Sequence, residues 1–327
     1  MLKYAFKRLR ETIPTTIGVL LLTFALFNVV GGSPALTVLG KNASAEAVEA
    51  FNRKHGYDKP LVIGDFDCSS PQGMLKIFDS QFFRFLGDLC KGDFGYSSEY
   101  NEPVADVLKR GIGPSLSLTV PILVCGVVVG LSLALFAARH RGRWQDGCVL
   151  VGSTALMSVN YVIWVLAGQF FLSYKLDLFP VWGYESAFYL VLPVLIGVVS
   201  SLGVDVRFFR AAILDEIYRP YVLTARTKGL SERRIMLRHV LGNALIPIVT
   251  YVSLSIPGLF AGSLLLESFF GIPGLGSVSI NAIHSSDMSV VRSVVVMGAL
   301  LYQFVNLATD LLYAALDPRV RAQGGWS

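Results

Sequence analysis

Six stretches of the chain are almost free of charge and long enough to cross a bilayer's hydrocarbon, which takes roughly 17 to 25 apolar residues. They cover 12–30, 112–138, 147–173, 187–206, 244–266 and 293–315. The second, third and fifth are too long and too apolar for the core helices of a soluble protein. The fourth ends at Asp205 and the sixth contains Asp310, so both are weaker. With 53% apolar and 16% charged residues and a mean hydropathy of +0.57, the chain cannot be solvated as one soluble globule. The expected fold is an all-α polytopic membrane protein with six transmembrane helices.

Orientation follows from where Lys and Arg fall, because cytosolic flanks of membrane helices hold the excess. Four lie in residues 1–10, three in Arg139–Asp146, eight between Arg207 and Arg238, and two at Arg319 and Arg321. The short loops on the opposite side carry only Lys175 and Arg292. Both termini are therefore expected in the cytosol. Residues 1–30 also suit a secretory signal, but the apolar run is long and Gly31-Gly-Ser-Pro34 lacks a small-x-small cleavage site. An uncleaved first span is the preferred reading.

The most polar interior segment runs from Arg207 to Pro247, with eight basic residues against three acids up to Arg238. Pro220 suits a first helical turn and Gly229 the left-handed position just past the last one. Ser231 can cap a second helix, with Glu232 in its first turn. Anchoring by positive charge explains many of these residues. It does not explain a short capped helix that sets Tyr221, Thr224, Ala225 and Lys228 on one mixed face.

Tyr221-Val-Leu-Thr-Ala-Arg-Thr-Lys-Gly229-Leu-Ser-Glu, followed by His239-Val-Leu-Gly-Asn-Ala-Leu-Ile-Pro247, resembles the "EAA" loop of ABC importer permeases in the dipeptide/oligopeptide/nickel branch, of the B-subunit type. Gly56-Tyr-Asp-Lys-Pro-Leu61, Gly92-Asp-Phe-Gly-Tyr-Ser97, Pro103-Val104, Phe179-Pro-Val-Trp-Gly183 and Leu192-Pro193 are similar to further landmarks of that family. So are Asn306–Tyr313 and Asp317–Arg321. Glu267-Ser-Phe-Phe-Gly-Ile-Pro-Gly-Leu-Gly276 matches its E-x-x-F-x-x-P-G-L-G pattern, and glycines around an apolar residue after Pro273 argue for a tight re-entrant turn. The chain departs from the pattern at Leu223 and Gly242, where arginine is frequent, at Ser289, where proline is usual, and in extra length near 62–80.

The resemblance implies a type I importer permease architecture. An N-terminal span (1–30) leads to an extracytoplasmic region (31–113), a five-helix core (114–315) with a cytosolic coupling loop (207–243), and a cytosolic tail (316–327). It assigns Tyr221, Thr224, Ala225, Arg226, Lys228, Gly229 and Leu230 to contact with an ATPase, and Glu267, Pro273, Gly274 and Gly276 to an outer turn or gate. The implied partners are a homologous second permease, two cytosolic ABC ATPases and an extracytoplasmic solute-binding protein. The implied location is a bacterial inner membrane, and peptides are the leading substrate class.

The chemistry missing from the sequence agrees. No Gly-x-x-x-x-Gly-Lys-Ser/Thr loop occurs, so ATP and magnesium belong on a partner and the chain binds no cofactor. No nucleophile elbow or His-Glu-x-x-His motif marks an enzyme. Cys125 and Cys148 are apolar fillers, whereas Cys68 and Cys90 share the outer region, where an oxidising compartment permits a disulfide that spacing alone does not decide. No cysteine–histidine spacing suggests a metal. Gly126-Val-Val-Val-Gly130 and Gly258-Leu-Phe-Ala-Gly262 let helices approach closely, as generic packing or as a partner seam. Prolines 121, 193, 247 and 257 serve as ordinary kinks or line a water-filled path. Asp205 and Asp310 are expected near cytosolic helix ends, close to Arg207 or the basic loop; the sharper alternative makes them proton-coupling groups. That alternative would belong to a self-contained secondary transporter or channel, the rival to an ATP-driven importer.

Overall fold

Long apolar runs with few breakers have one way to satisfy their backbone in lipid, which is to close every N–H and C=O within a helix. The computed structural model, which describes residues 2–30, 35, 43–62 and 79–316, is built in that way. The first helix, α1 (Leu2–Ala25), runs into a wider π-helical stretch at Leu26–Val30. Two short helices follow, α2 (Ala45–His55) and α3 (Gln81–Lys91), capped by Ser44 and Ser80 and stopped by left-handed Gly56 and Gly92. The core helices are α4 (Val104–Arg139), α5 (Trp144–Ser158), α6 (Tyr161–Gly168) with a π-helical extension Gln169–Lys175, and α7 (Phe188–Ile217). After α8 (Pro220–Thr227), the one-turn α9 (Glu232–Arg234) passes through a π-helical stretch, Ile235–Val240, into α10 (Leu241–Phe270). The last helices are α11 (Leu275–His284) and α12 (Met288–Leu316).

Among the described residues, five helices are long and apolar enough to cross a membrane, and two bent pairs add up to two more spans. Five of the six runs read from sequence follow unbroken helical stretches, the first ending in the π-helical turn and the fourth starting at the cap of α7. The third does not: 147–173 is broken at Val159–Asn160, where α5 and α6 meet at 90°. Asn160 is extended (φ −60°, ψ 141°) and its side-chain oxygen accepts from Val162 N at 2.9 Å, capping α6. The segment read as a basic loop from Arg207 is also largely helical, because α7 carries Arg207 and Arg210 and ends only at Ile217. Prolines 114, 121, 193, 247 and 257 all lie inside helices that continue through them.

The described residues form two compact units. The first comprises residues 1–10, 111–277 and 301–327. Its main apolar cluster joins Ala134 and Ala138 of α4, Phe209 and Ile213 of α7, and Val222, Ile235, Val240, Ala244 and Ile248. Gly126 and Gly130 face α7 here: a side chain at Gly126 would meet Ser201, and one at Gly130 would meet Phe209 at 3.2 Å. That pair packs within the chain. The side chains of Gly258–Gly262 are outside the described residues.

The second unit comprises residues 11–110 and 278–300. Phe24 of α1 is buried against Phe82 and Phe85 of α3 at ring separations of 5.5 and 5.7 Å, with Val296 of α12 completing the cluster. Cys90 is an exposed free thiol in α3. Its candidate partner Cys68 and the extra length over 63–78 lie outside the described residues.

Candidate functional site

The residues singled out from sequence gather at three places in the first unit. The first is the elbow around α8. Pro220 opens the helix at its first position and Gly229 leaves it at φ 76°, a left-handed conformation that costs other residues about 1–2 kcal/mol. Val222 is fully buried and Ala225 nearly so, within the cluster formed by α4, α7 and α10. Burying the valine alone contributes about 1.5–3 kcal/mol. The Tyr221 hydroxyl donates to Glu216 Oε2 at 2.6 Å. Burial, reinforced by the Glu216 carboxylate, pushes its pKa up to about 12. Arg226 forks onto Glu232, Nε to Oε1 at 2.8 Å and Nη2 to Oε2 at 3.3 Å, tying α8 to the start of the next helix. Ser231 has the extended backbone of a cap, but its side chain makes no capping bond.

The face drawn through Tyr221, Thr224, Ala225 and Lys228 is therefore divided. Tyr221 and Ala225 turn into the chain's own core, Leu230 is half-buried, and Thr224, Arg226, Lys228 and Gly229 are exposed. Leu223, which the sequence marks only as a departure from arginine, is 64% exposed at the tip.

The second place is the turn between α10 and α11. Glu267 is fully buried, and its carboxylate accepts from Ser115 Oγ at 2.7 Å, Gly276 N at 2.6 Å and Ser277 N at 3.3 Å. Ser115 Oγ in turn accepts from Leu275 N at 2.8 Å. The first N–H groups of α11, which have no partner inside their own helix, are thus closed by a carboxylate of α10 and a hydroxyl of α4. Gly274 sits against this carboxylate, where a Cβ would overlap both Glu267 and Ser115, and a Cβ on Gly276 would lie 2.6 Å from Leu264 Cα. Pro273 is exposed at the turn. Gly183 N donates to Phe270 O at 2.8 Å, so the Trp-Gly landmark meets this turn as well.

The third place is a cavity of about 380 Å³ between α4, α7 and α10. Asp205 borders it and accepts from the Tyr251 hydroxyl at 2.9 Å. The expected pairing with Arg207 does not occur, because Arg207 points to Met157 Sδ at 3.3 Å on the other side of α7. Asp310 is paired, with Arg8 at 3.5 Å, and not with the basic loop.

Two further centres escaped the sequence reading. Arg210 makes a two-pronged ion pair with Asp146, both bonds 2.7 Å, and Gly142 N donates to the same carboxylate at 3.1 Å. The stretch Arg139–Asp146 thus docks α5 on α7 in addition to carrying positive charge. In the second unit Asp287 is buried and accepts from Ser97 Oγ at 2.6 Å, Glu99 N at 3.2 Å and Val290 N at 3.3 Å. The Gly92–Ser97 landmark thus closes on a carboxylate 190 residues further along the chain. Among the described residues no three His, Cys, Asp or Glu side chains are placed to hold a metal ion.

The chain belongs to the family of binding-protein-dependent transport system inner membrane components, whose model matches residues 111–322, with the family's N-terminal model over 1–119. It is a multi-pass inner-membrane protein and a permease subunit of an ABC importer. The glutathione transport system permease protein GsiC of Escherichia coli (strain K12) is 32% identical over 322 residues, covering 98% of this chain and 99% of that protein. GsiC of Shigella flexneri serotype 5b is 32% identical over 324 residues, with the same coverage. A solved structure of the MetNI methionine ABC transporter has the same core fold, with a TM-score of 0.54 and 19% identity over 64% of this chain and 96% of that one.

Proposed function

We propose that this permease carries peptides or peptide-like solutes, pairs with a second permease to enclose the path, and is moved by two cytosolic ATPases that grip α8. ATP and magnesium reside on those partners, and a solute-binding protein delivers cargo to the extracytoplasmic region 31–113. Both termini and α8 lie in the cytosol. The substrate class is supported by the 32% identity to permeases named for glutathione, itself a tripeptide.

One observation carries the coupling: α8 is fixed from behind by buried Val222 and Ala225 and offers Leu223, Thr224, Thr227 and Lys228 outward. A push on such a helix reaches α10 through Ile235 and Val240 without loss in a soft loop, and the span beginning near Asn243 then swings to open the path. Leu223 is the apolar member of this outward face and does not enter the buried cluster behind α8, so changing it alters the face alone.

Leu223→Asp tests it. The full chain still inserts, but ATPase subunits co-purify at least about tenfold less well, equivalent to roughly 1.4 kcal/mol. Replacing Gly229 with isoleucine separates ATP hydrolysis from uptake. Undiminished co-purification with Leu223→Asp and unchanged uptake with Gly229→Ile overturn the proposal.

A further inference from the structure

The cavity between α4, α7 and α10 has an unusual chemical lining. None of its residues is Lys, Arg or His. Ser200 and Ser255 each donate the hydroxyl proton to their own helix, to Gly197 O at 2.9 Å and Val252 O at 2.8 Å. Tyr251 gives its proton to Asp205. Ser201 likewise donates to its own helix, at Val198 O. What these groups keep for a guest is lone pairs, so the cavity offers acceptors from Ser200, Ser255, Tyr251 and the carboxylate, with the hydroxyls of Tyr161 and Ser263 also in a lining that is otherwise apolar.

The carboxylate is held ready. Tyr251 is stacked on Phe208 at 4.3 Å and meets Phe209 edge-on at 5.9 Å, which fixes the hydroxyl that orients Asp205. Across the gap stands Gly126, where even a Cβ would come to 4.0 Å from Asp205 Oδ2. Ser201 also hydrogen-bonds this carboxylate, with its Oγ 3.4 Å from where a Gly126 Cβ would stand, so the missing side chain at Gly126 keeps open the space that remains beside Oδ2. A carboxylate at membrane depth is costly without a counter-charge, and among the described residues Asp205 has no ion-pair partner. The group that complements such a lining donates only and is positive, which describes a primary ammonium with its three N–H donors and no acceptor.

We propose that this cavity receives an organic ammonium group of the passing solute, such as the amino terminus of a peptide, with Asp205 as its counter-ion and Tyr251, Ser200 and Ser255 as acceptors. The inference rests on the chain being a permease, and it assigns the charge preference of one point along the path.

The test places a single reporter, Val252→Cys, on the cavity wall of a full chain whose four native cysteines are replaced, in membrane vesicles that contain its native partners. The reporter is reacted with methanethiosulfonate ethylammonium and with the anionic ethylsulfonate, each rate divided by that with free cysteine. The cationic reagent is expected to react at least about tenfold faster, since a unit charge a few ångströms away changes local cation concentration by that order. Asp205→Asn brings the ratio to near one, and Asp205→Glu keeps it. A ratio that ignores Asp205→Asn, or a reporter that neither reagent reaches, overturns the proposal. Failure of the coupling reading is told apart, because it shows in ATPase co-purification and not in this ratio.

Discussion

Replacing Glu267 by glutamine exchanges an acceptor oxygen for a donor NH2 at a place where every neighbour donates. Whichever way the amide is turned, its NH2 either opposes the N–H groups of Gly276 and Ser277 or occupies the Ser115 oxygen and takes away the acceptor of that hydroxyl's proton. A buried donor left unpaired costs about 1–3 kcal/mol, so Glu267→Gln is expected to lower the thermal midpoint of the detergent-solubilised chain. Gly274→Ala is expected to do more harm, because its Cβ has no space beside the same carboxylate. Gly298→Ala, with nothing within 4 Å, serves as the control and leaves the midpoint level or raised. If Gly274→Ala and Gly298→Ala unfold alike, the turn is not held by this contact. The motif around Glu267 was legible in the sequence as a tight turn, since it is local. Its closure by Ser115 was not, because that partner is 152 residues away and serines are plentiful in every span.

Helices were read well wherever apolar length decided them and poorly wherever a single polar contact did. Asn160 is the instructive miss: an amide inside an apolar run can cap a new helix as readily as it can be tolerated in the old one, and the run's hydropathy conceals the break. The extension of α7 past Arg207 was missed for the opposite reason. Basic residues look like loop, yet Arg210 lies on a helix because Asp146 of α5 pairs with it behind nearly complete burial, with side chains 16% and 7% exposed. The elbow has a similar fork, Arg226 on Glu232, at 44% and 60% exposure. Equal geometry does not mean equal weight. Breaking the buried pair leaves a charge without its partner and costs about 3–5 kcal/mol, whereas an exposed pair contributes about 0–1 kcal/mol. Asp146→Asn is therefore expected to depress stability several times more than Glu232→Gln in parallel urea or thermal unfolding. Equal losses would mean that α5 is not docked through this contact.

For the molecule as a whole, the bend between α5 and α6 decides the topology. Each limb holds 15 residues once the π-helical extension is included, about 22 Å at 1.5 Å per residue, against about 30 Å of hydrocarbon. Neither limb crosses alone, so the pair either crosses once as a bent span or enters and returns. Between Lys54 on α2 and Lys228 beyond α8 lie α4, the bent pair and α7. One crossing by the pair makes three and puts the two lysines on opposite faces; a re-entrant pair makes two and puts them on the same face. The positive residues at Arg139–Arg143 before the bend, against Lys175 alone after it, favour a crossing. Single-cysteine variants at these two exposed positions, treated with a membrane-impermeant maleimide, read the parity directly. Lys54→Cys is expected to label in intact spheroplasts and Lys228→Cys only in inverted vesicles. Labelling of both from one face would make the bent pair re-entrant, and if that face were the outer one it would also move α8 away from any cytosolic ATPase.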